Sequence, residues 1–311
     1  MYKAVCITGF GGPEVLSVMH KEERHPGPSE LRLRVLSCGV NPIDIKIREG
    51  TNFVCKLREG LPFPWGLGFD VAGVVLEAGA DSGFRVGEEV LGIAGSPADP
   101  CGYAEEAVIP SAMCIRVPSS FDIYEAGALP TAGLTAVSII KLLPKDAKRV
   151  LIAGGTGGVG HLLAQYLKHE GRYVALTCSK KNLEFAKTLG ADAVYDYTEE
   201  LPQELLKGFD AVIDMPGGKT GIGLYRYVKD QGTLVTVPTI TGDEVIAAAE
   251  RGIKAVLVRA EKTPEAFSEL ERYAKAGIRP FVAAKVRLEE AAQTHELLRK
   301  AHLPGKIVLT A

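Results

Sequence analysis

Several features that would place this 311-residue chain in a special class are missing. Lys and Arg number 36 against 38 Asp and Glu, a formal charge of −2, and no basic stripe interleaved with aromatics occurs. A nucleic-acid partner is therefore not expected. The apolar runs are strand-sized and broken by glycine or charge, so neither a membrane span nor membrane binding is expected. Met1-Tyr2-Lys3-Ala4-Val5-Cys6 opens directly into strand-like sequence, which gives no sign of a signal peptide. No two of the six cysteines, Cys6, Cys38, Cys55, Cys101, Cys114 and Cys178, have the spacing of a metal knuckle. In a chain of this length they form no disulfide framework, and the expectation is buried thiols in a cytoplasmic protein, with a reactive thiol at one of them as the alternative. The 35 glycines and 18 prolines are spread along the chain without repeat or low-complexity tract. Collagen-like and disordered classes are excluded.

What is present is a soluble globular composition, 46% hydrophobic and 24% charged, long enough for about two domains. From residue 1 to about 118 short β-rich runs, Leu31–Ser37, Val71–Glu77, Val90–Ile93 and Ala104–Ile109, are punctuated by turn residues. From about 121 buried strands alternate with helices, the pattern of a parallel sheet covered on both faces. The expected strands are Arg149–Ala153, Tyr173–Thr177, Ala193–Asp196, Ala211–Asp214, Thr233–Val237 and Lys254–Arg259. The expected helices are Val159–Gly171, Lys181–Leu189, about 200–207 and about 220–230. A further helix Glu265–Ala276, another around Ala291–Leu298 and a final strand Lys306–Leu309 are too much chain to extend that sheet. We expect them to return to the first domain, giving a discontinuous domain of 1–120 and 262–311 around an inserted dinucleotide-binding domain of 121–261.

The strongest motif follows the strand at 149–153: Gly155, Gly157 and Gly160 fit G-x-G-x-x-G, with Thr156, Gly158 and Val159 between them. It opens a helix directly after an apolar strand, where glycines permit the turn and close backbone approach while the helix N-terminus faces a pyrophosphate. An NAD site wants a carboxylate at the end of the second strand; here stand Thr177-Cys178-Ser179-Lys180-Lys181-Asn182. Ser179 can donate a hydrogen bond and Lys180 or Lys181 can neutralise a 2′-phosphate, so NADPH is expected over NADH. The same lysines also suit an exposed helix start. Tyr197 is a further candidate for the adenosine phosphate end, and Pro216 and Val237, at the ends of the fourth and fifth strands, are candidate backbone contacts.

Family-like segments accompany this turn: Gly39-Val40-Asn41-Pro42-Ile43-Asp44, Pro64-Trp65-Gly66-Leu67-Gly68-Phe69-Asp70-Val71-Ala72-Gly73, Val86-Gly87-Glu88-Glu89-Val90, Leu129-Pro130-Thr131-Ala132-Gly133-Leu134-Thr135-Ala136 and Gly305-Lys306-Ile307-Val308. In this order they resemble the medium-chain dehydrogenase/reductase superfamily over nearly the whole chain, and within it the zinc-independent quinone oxidoreductases related to zeta-crystallin. Leu183–Tyr197 with Phe209–Asp214 looks closest to the branch of enone and alkenal reductases. The resemblance implies an α/β protein, a GroES-like β-rich catalytic domain plus a Rossmann domain with a doubly wound parallel sheet. Motif against motif, Asn41, Phe69 and Thr131 stand where zinc-dependent members carry Cys, His and Cys. An amide, a phenyl ring and a hydroxyl do not make a zinc site, so no metal is expected.

Without a metal, the dinucleotide supplies hydride and the protein supplies position and hydrogen bonds. Quinones and α,β-unsaturated carbonyls suit that division, because the negative charge develops on an oxygen that a placed donor can stabilise. The resemblance makes Asn41 and Asp44 the expected catalytic residues, Asn41 donating to that oxygen or to the nicotinamide ribose and Asp44 fixing Asn41 or a ribose hydroxyl. Asn-Pro-x-Asp also reads as a plain turn and helix start. Thr131 is expected to touch the nicotinamide ribose or simply to start a helix. Trp65 and Phe69 are candidates for an aromatic slot, Phe69 equally for core. No general acid stands out; His20, His25, His161, His169, His295 and His302 lie in surface-like or helical contexts. The apolar edge Gly252 to Arg259 calls for a cover, and a homodimer with continuous sheet is expected. An enoyl-thioester reductase on the same scaffold and a non-enzymatic NADPH-binding scaffold protein are the alternatives.

Overall fold

The computed structural model describes residues 1–96, 99–238 and 242–311. The chain divides into two compact units, one of Met1–Thr131 with Lys262–Ala311, the other of Ala132–Glu261.

In the first unit, period-two alternation builds the sheet. Leu31, Leu33 and Val35 of the strand Glu30–Gly39 point inward and are fully buried, each contributing about 1.5–3 kcal/mol by leaving water. The neighbours run Cys114–Arg116, Glu89–Ile93, Asp70–Ala78, Glu30–Gly39, Lys306–Thr310 and Val282–Arg287, with Glu106–Pro110 also paired to Glu30–Gly39. Lys306–Thr310 pairs antiparallel with Glu30–Gly39, Leu309 opposite Cys38, and parallel with Val282–Arg287. That pairing returns the C-terminal segment to the first unit. A second sheet joins Leu16–Lys21, Tyr2–Ile7 and Trp65–Gly66.

Residues 121–131, which the change of texture assigns to the inserted domain, lie in the first unit instead. Ser37 explains the shift: its Oγ donates to the Ile123 carbonyl at 2.8 Å and accepts the Gly127 N–H at 3.1 Å. These bonds tie the segment to the strand Glu30–Gly39.

The second unit is a six-stranded all-parallel sheet in the order Ala193–Asp196, Tyr173–Cys178, Arg149–Ala153, Phe209–Asp214, Val228–Thr236, Lys254–Leu257. This is the doubly wound order 3-2-1-4-5-6, whose direction reverses between the strands at 149–153 and 209–214. Val150, Leu151 and Ile152 are fully buried because both faces are covered.

Two expected helices are absent. Residues 200–207 form only the 3-10 turn Gln203–Leu205, bounded by Pro202 and by the left-handed Lys207 at φ 53°. Residues 220–230 give the single turn Gly218–Gly221 and the 3-10 turn Leu224–Tyr227, and the strand begins at Val228. Leu224, Tyr227 and Val228 mimic helical spacing, but Gly223, left-handed at φ 83°, breaks the helix and all three pack into the sheet's core. The helix Gly242–Glu250 carries no expectation from the sequence reading.

Candidate functional site

In the second unit the candidate site is made by backbone. The chain leaves the strand Arg149–Ala153 through Gly154, left-handed at φ 75°, which donates its N–H to Thr177 Oγ1 at 3.3 Å. A Cβ on Gly160 would stand 2.5 Å from the Gly154 carbonyl oxygen, so only glycine lets the helix Gly160–His169 start this close to the strand. A Cβ on Gly155 would strike Leu176 at 2.6 Å, whereas one on Gly157 would meet only the Gly154 oxygen, at 3.4 Å. The surface over Gly157 thus stays open at the N-terminus of a ten-residue helix. Gly158 and Val159 complete the turn into that helix, and the Thr156 hydroxyl accepts from Asn182 Nδ2 at 3.4 Å.

The remaining candidates of this unit gather at the carboxyl ends of the strands. Ser179 follows Tyr173–Cys178, and its Oγ is buried without a hydrogen-bond partner among the described residues. Lys180 and Lys181 next to it are exposed. The Tyr197 N–H donates to the Cys178 carbonyl at 3.0 Å, which holds this exposed tyrosine beside Ser179. Pro216 Cδ would lie 3.4 Å from a Cβ on Gly154, and the Val237 N–H donates to the Asp214 carbonyl at 2.9 Å. Asp214, absent from the sequence reading, organises this edge: its carboxylate accepts the Gly217 N–H at 2.8 Å and the Thr236 hydroxyl at 3.3 Å. Burial raises its pKa, opposed by those bonds.

In the first unit the candidate site is made by side chains. Asn41 precedes the helix Pro42–Arg48 and is buried. Its Nδ2 donates to Asp70 Oδ2 at 2.9 Å, and its Oδ1 accepts from Lys306 Nζ, which also donates to the Val40 carbonyl at 2.8 Å. The other Asp70 oxygen accepts the Thr131 N–H at 3.0 Å and the Thr131 hydroxyl. The amide of Asn41 and the hydroxyl of Thr131, expected to face substrate and ribose, both bond Asp70 here, and Asn41 Nδ2 also lies 3.4 Å from the Gly39 carbonyl. Thr131 is the second residue of its helix, Pro130–Leu142, in line with the helix-start alternative.

Asp44, three residues after Asn41, accepts the Asn41 N–H on Oδ2 at 2.8 Å, half of a capping box. The same oxygen accepts from the Tyr103 hydroxyl at 3.0 Å, and that hydroxyl is 3.4 Å from His295 Nε2. Arg48 Nη1 lies 3.0 Å from His295 Nδ1. A guanidinium only donates, so Nδ1 accepts, Nε2 carries the proton, and donors run in one direction from Arg48 through His295 and Tyr103 to Asp44.

Burial sets the charges here. It pushes the Asp44 carboxyl up to about 7, the Asn41 N–H pulling down and the charge of Asp70 adding to the rise. Burial also raises Asp70 and lowers Lys306, each opposed by its charged neighbours. Burial, then the charges of Arg48 and Arg299, hold His295 down to about 3, so its imidazole is neutral. His161 and His295 lie on helices, as one of the expected contexts had it, but both are fully buried and not surface-like. His161 Nδ1 is 2.9 Å from the Gly157 carbonyl.

Phe69 is fully buried. Trp65, also buried, stacks on Phe63 at 4.4 Å, donates to the Pro62 carbonyl at 3.0 Å and lines a groove of about 630 Å³ with Phe10, Phe53 and Leu61. Asp70, Lys306, Tyr103 and His295 were missed by sequence reasoning. The available signals were an aspartate opening the apolar run Asp70–Val75 and a lysine opening Lys306–Leu309.

Comparison with known proteins adds ancestry to this geometry. Residues 27–119 match the alcohol dehydrogenase GroES-like domain and residues 189–309 match a zinc-binding dehydrogenase model. A 2-methylene-furan-3-one reductase of Solanum lycopersicum is 30% identical over 99% of this chain and 78% of its own length. The solved quinone oxidoreductase from Coxiella burnetii is 34% identical, covers 100% of this chain and 99% of its own, and superposes with a TM-score of 0.87. The chain belongs to the quinone oxidoreductase family of the medium-chain dehydrogenase/reductases. Within this family, the first unit is the GroES-like domain and the second the Rossmann domain. A mitochondrial NAD(P)H oxidoreductase of Mus musculus, RTN4IP1, is 35% identical over 69% of the chain, and the matched region spans 59% of that relative's length. Among the described residues no helix is long and apolar enough to cross a membrane.

Proposed function

We propose that the chain is a zinc-independent, NADPH-dependent reductase that passes hydride to a quinone or an α,β-unsaturated carbonyl. The observation that carries this reading is the open glycine turn ending beside a Ser179 hydroxyl that is unbonded among the described residues and two exposed lysines, with no carboxylate at 177–182. Those residues fit a dinucleotide with a 2′-phosphate: the turn takes the pyrophosphate, Ser179, Lys180 and Lys181 take the phosphate, and Tyr197 flanks it. Pro216 and Val237 supply backbone at the carboxyl edge. When bound, the cofactor supplies a hydride.

The zinc expected from the name of the matching family model does not fit the donors present. At the three matching positions Asn41 and Thr131 spend their side chains on Asp70, and Phe69 offers a ring. Asn41 and Asp44 act as positioning residues: the Asp70 and Lys306 bonds fix the loop before Pro42, and Asp44 fixes its backbone. The acceptor class is taken from the names of the tomato and Coxiella relatives. A cytoplasmic homodimer completes the reading. Lys254–Leu257 is an edge strand, and the stretch from Gly252 to Arg259 offers its backbone to a second copy.

The test is NADPH consumption by chelator-treated protein with a quinone, an enone, an enal and a crotonyl thioester, repeated with NADH. We expect quinone or enone turnover that prefers NADPH and survives the chelator. Turnover confined to the thioester, loss with chelator, or tight NADPH binding with no turnover each overturns the reading. Sedimentation at micromolar concentration tests the dimer, a monomer refuting it.

A further inference from the structure

Lys262 follows Glu261 and immediately precedes Thr263, whose hydroxyl accepts the Ala266 N–H at 3.2 Å and so caps the helix Pro264–Lys275. The cap fixes the backbone beside Lys262. Its side chain is half-buried and lays Nζ over the ring of Phe69, 4.5 Å from the centroid. Among the described residues this ammonium makes no hydrogen bond and no ion pair.

That state is unusual for this unit. Lys306 donates to Val40 and Asn41, Arg48 to Gly11 and Glu49, and Arg32 to Glu23, Glu77 and Glu106. Asp70 and Asp44 are close enough to favour the charge on Lys262, against the downward pull of burial. Neither receives a bond from it. The oxygens of Asp70 are occupied by Asn41 and Thr131 and Asp44 Oδ2 by Asn41 and Tyr103, while Asp44 Oδ1 has no hydrogen-bond partner among the described residues and Lys262 does not reach it. Removing a cation from water without bonding its protons is costly, and a cation–π contact replaces only part of that hydration. An ammonium kept in this condition has three donors available for an anionic partner that arrives from outside.

We propose that Lys262 is a catalytic residue that donates a hydrogen bond to the acceptor's carbonyl oxygen as negative charge develops on it. This rests on the hydride-transfer reading above. Hydride arrives with its electron pair at the conjugated carbon of an enone, from a C–H bond broken on the reduced dinucleotide, which is thereby oxidised by two electrons. A C–H bond forms at the acceptor, its C=C π pair moves in to form the enolate C=C, and the carbonyl π pair comes to rest on oxygen. Water then supplies the proton that gives the saturated ketone. Lys262 keeps its own protons throughout and lowers the barrier by electrostatics alone. Three positions converge on this spot, since Asn41 and Thr131 both bond Asp70 and Phe69 precedes it in the chain. The Lys262 ammonium stands there on an aromatic face, while the neighbouring Lys306 ammonium is already bonded to Asn41 and Val40.

Lys262→Met keeps the length of the side chain and removes the charge; Lys262→Gln serves if the first variant does not fold, and Lys262→Arg restores a cation. With an enone and NADPH we expect kcat of Lys262→Met to fall about 100-fold and that of Lys262→Arg to stay within about tenfold of wild type. NADPH Kd from nucleotide fluorescence and the thermal midpoint should stay unchanged. A readout without turnover uses 4-nitrophenol as an oxyanion probe: bound to wild type with NADP⁺, it should ionise at lower pH than when bound to Lys262→Met. A kcat within threefold of wild type overturns the proposal. So does an effect confined to NADPH Kd, which would make Lys262 a cofactor contact, or a probe that ionises alike in both proteins. A wild type inactive with every acceptor overturns the hydride-transfer reading and this role with it, whereas an active wild type with an equally active Lys262→Met overturns only the role.

Discussion

At the carboxyl edge of the parallel sheet, Ser179 Oγ lies unbonded among the described residues and Lys180 and Lys181 reach solvent. Around the helix Pro42–Arg48 nearly every donor and acceptor is taken by another side chain of the same unit. The first arrangement is made by chain direction and glycine, and it leaves polar side chains open beside the turn. The second is a frame whose polar groups stabilise one another, and among the described residues the Lys262 ammonium and Asp44 Oδ1 remain there without a hydrogen bond. A polar residue near a proposed site is therefore informative about binding only once its existing partners are known.

The comparison is broken most severely by Asp70→Ala. It strands Asn41 Nδ2, the Thr131 donors and the buried charge of Lys306 together, and we expect a loss of about 3–5 kcal/mol, read from denaturant unfolding. Gly160→Ala tests the opposite unit. A methyl 2.5 Å from the Gly154 oxygen must push helix from strand, costing about 1–3 kcal/mol and weakening NADPH and NADH alike in calorimetry. Lys180→Glu with Lys181→Glu should leave the thermal midpoint in place and weaken NADPH about 10- to 30-fold, with NADH within about twofold. Equal loss for both cofactors would remove the lysines from phosphate recognition. Tyr103→Phe costs about 1 kcal/mol and, by deleting a bond that favours the carboxylate, moves Asp44 further up in a carbonyl-frequency titration.

The smallest effect is in the pH dependence of stability. Folded Asp44 holds its proton to about 7 against an ordinary 3.8, so between these values the folded state binds the extra proton and stability falls as pH rises. His295 does the reverse: its folded value near 3 lies below the ordinary 6.5, the unfolded state binds the extra proton, and stability rises with pH across that window. The two slopes oppose each other in one hydrogen-bonded chain. Asp44→Asn should uncover the rise and His295→Gln the fall, in thermal midpoints collected from about pH 4 to 7; parallel profiles for both variants would sever the linkage.

How much of this was legible beforehand follows the same division. The glycine turn and Ser179 with its lysines occupy short contiguous stretches, each beside a strand whose apolar run marks it. Sheet strands such as Arg149–Ala153 and Ala193–Asp196 were readable for the same reason. Asn41 and Asp44 were visible as residues but not as an engaged pair, because the partners that occupy Asn41 are 29 and 265 positions away. His295 sits on the amphipathic helix Ala291–Lys300, and nothing local distinguishes a buried imidazole from an exposed one. The helix expected at 220–230 failed on Gly223, a single left-handed residue inside helical spacing.

The strand Lys306–Thr310 has a further consequence for how the protein comes into being. It lies inside its sheet, between Glu30–Gly39 and Val282–Arg287, and Lys306 brings the cation that Asn41 accepts. During synthesis the loop before Pro42 leaves the ribosome some 265 residues ahead of that partner, with the entire parallel-sheet unit made in between. The nucleotide-binding half can mature while the other still waits for its middle strand. A nascent chain stalled before residue 306 should therefore hold a finished parallel sheet beside a first unit that lacks both its middle strand and the cation that Asn41 accepts.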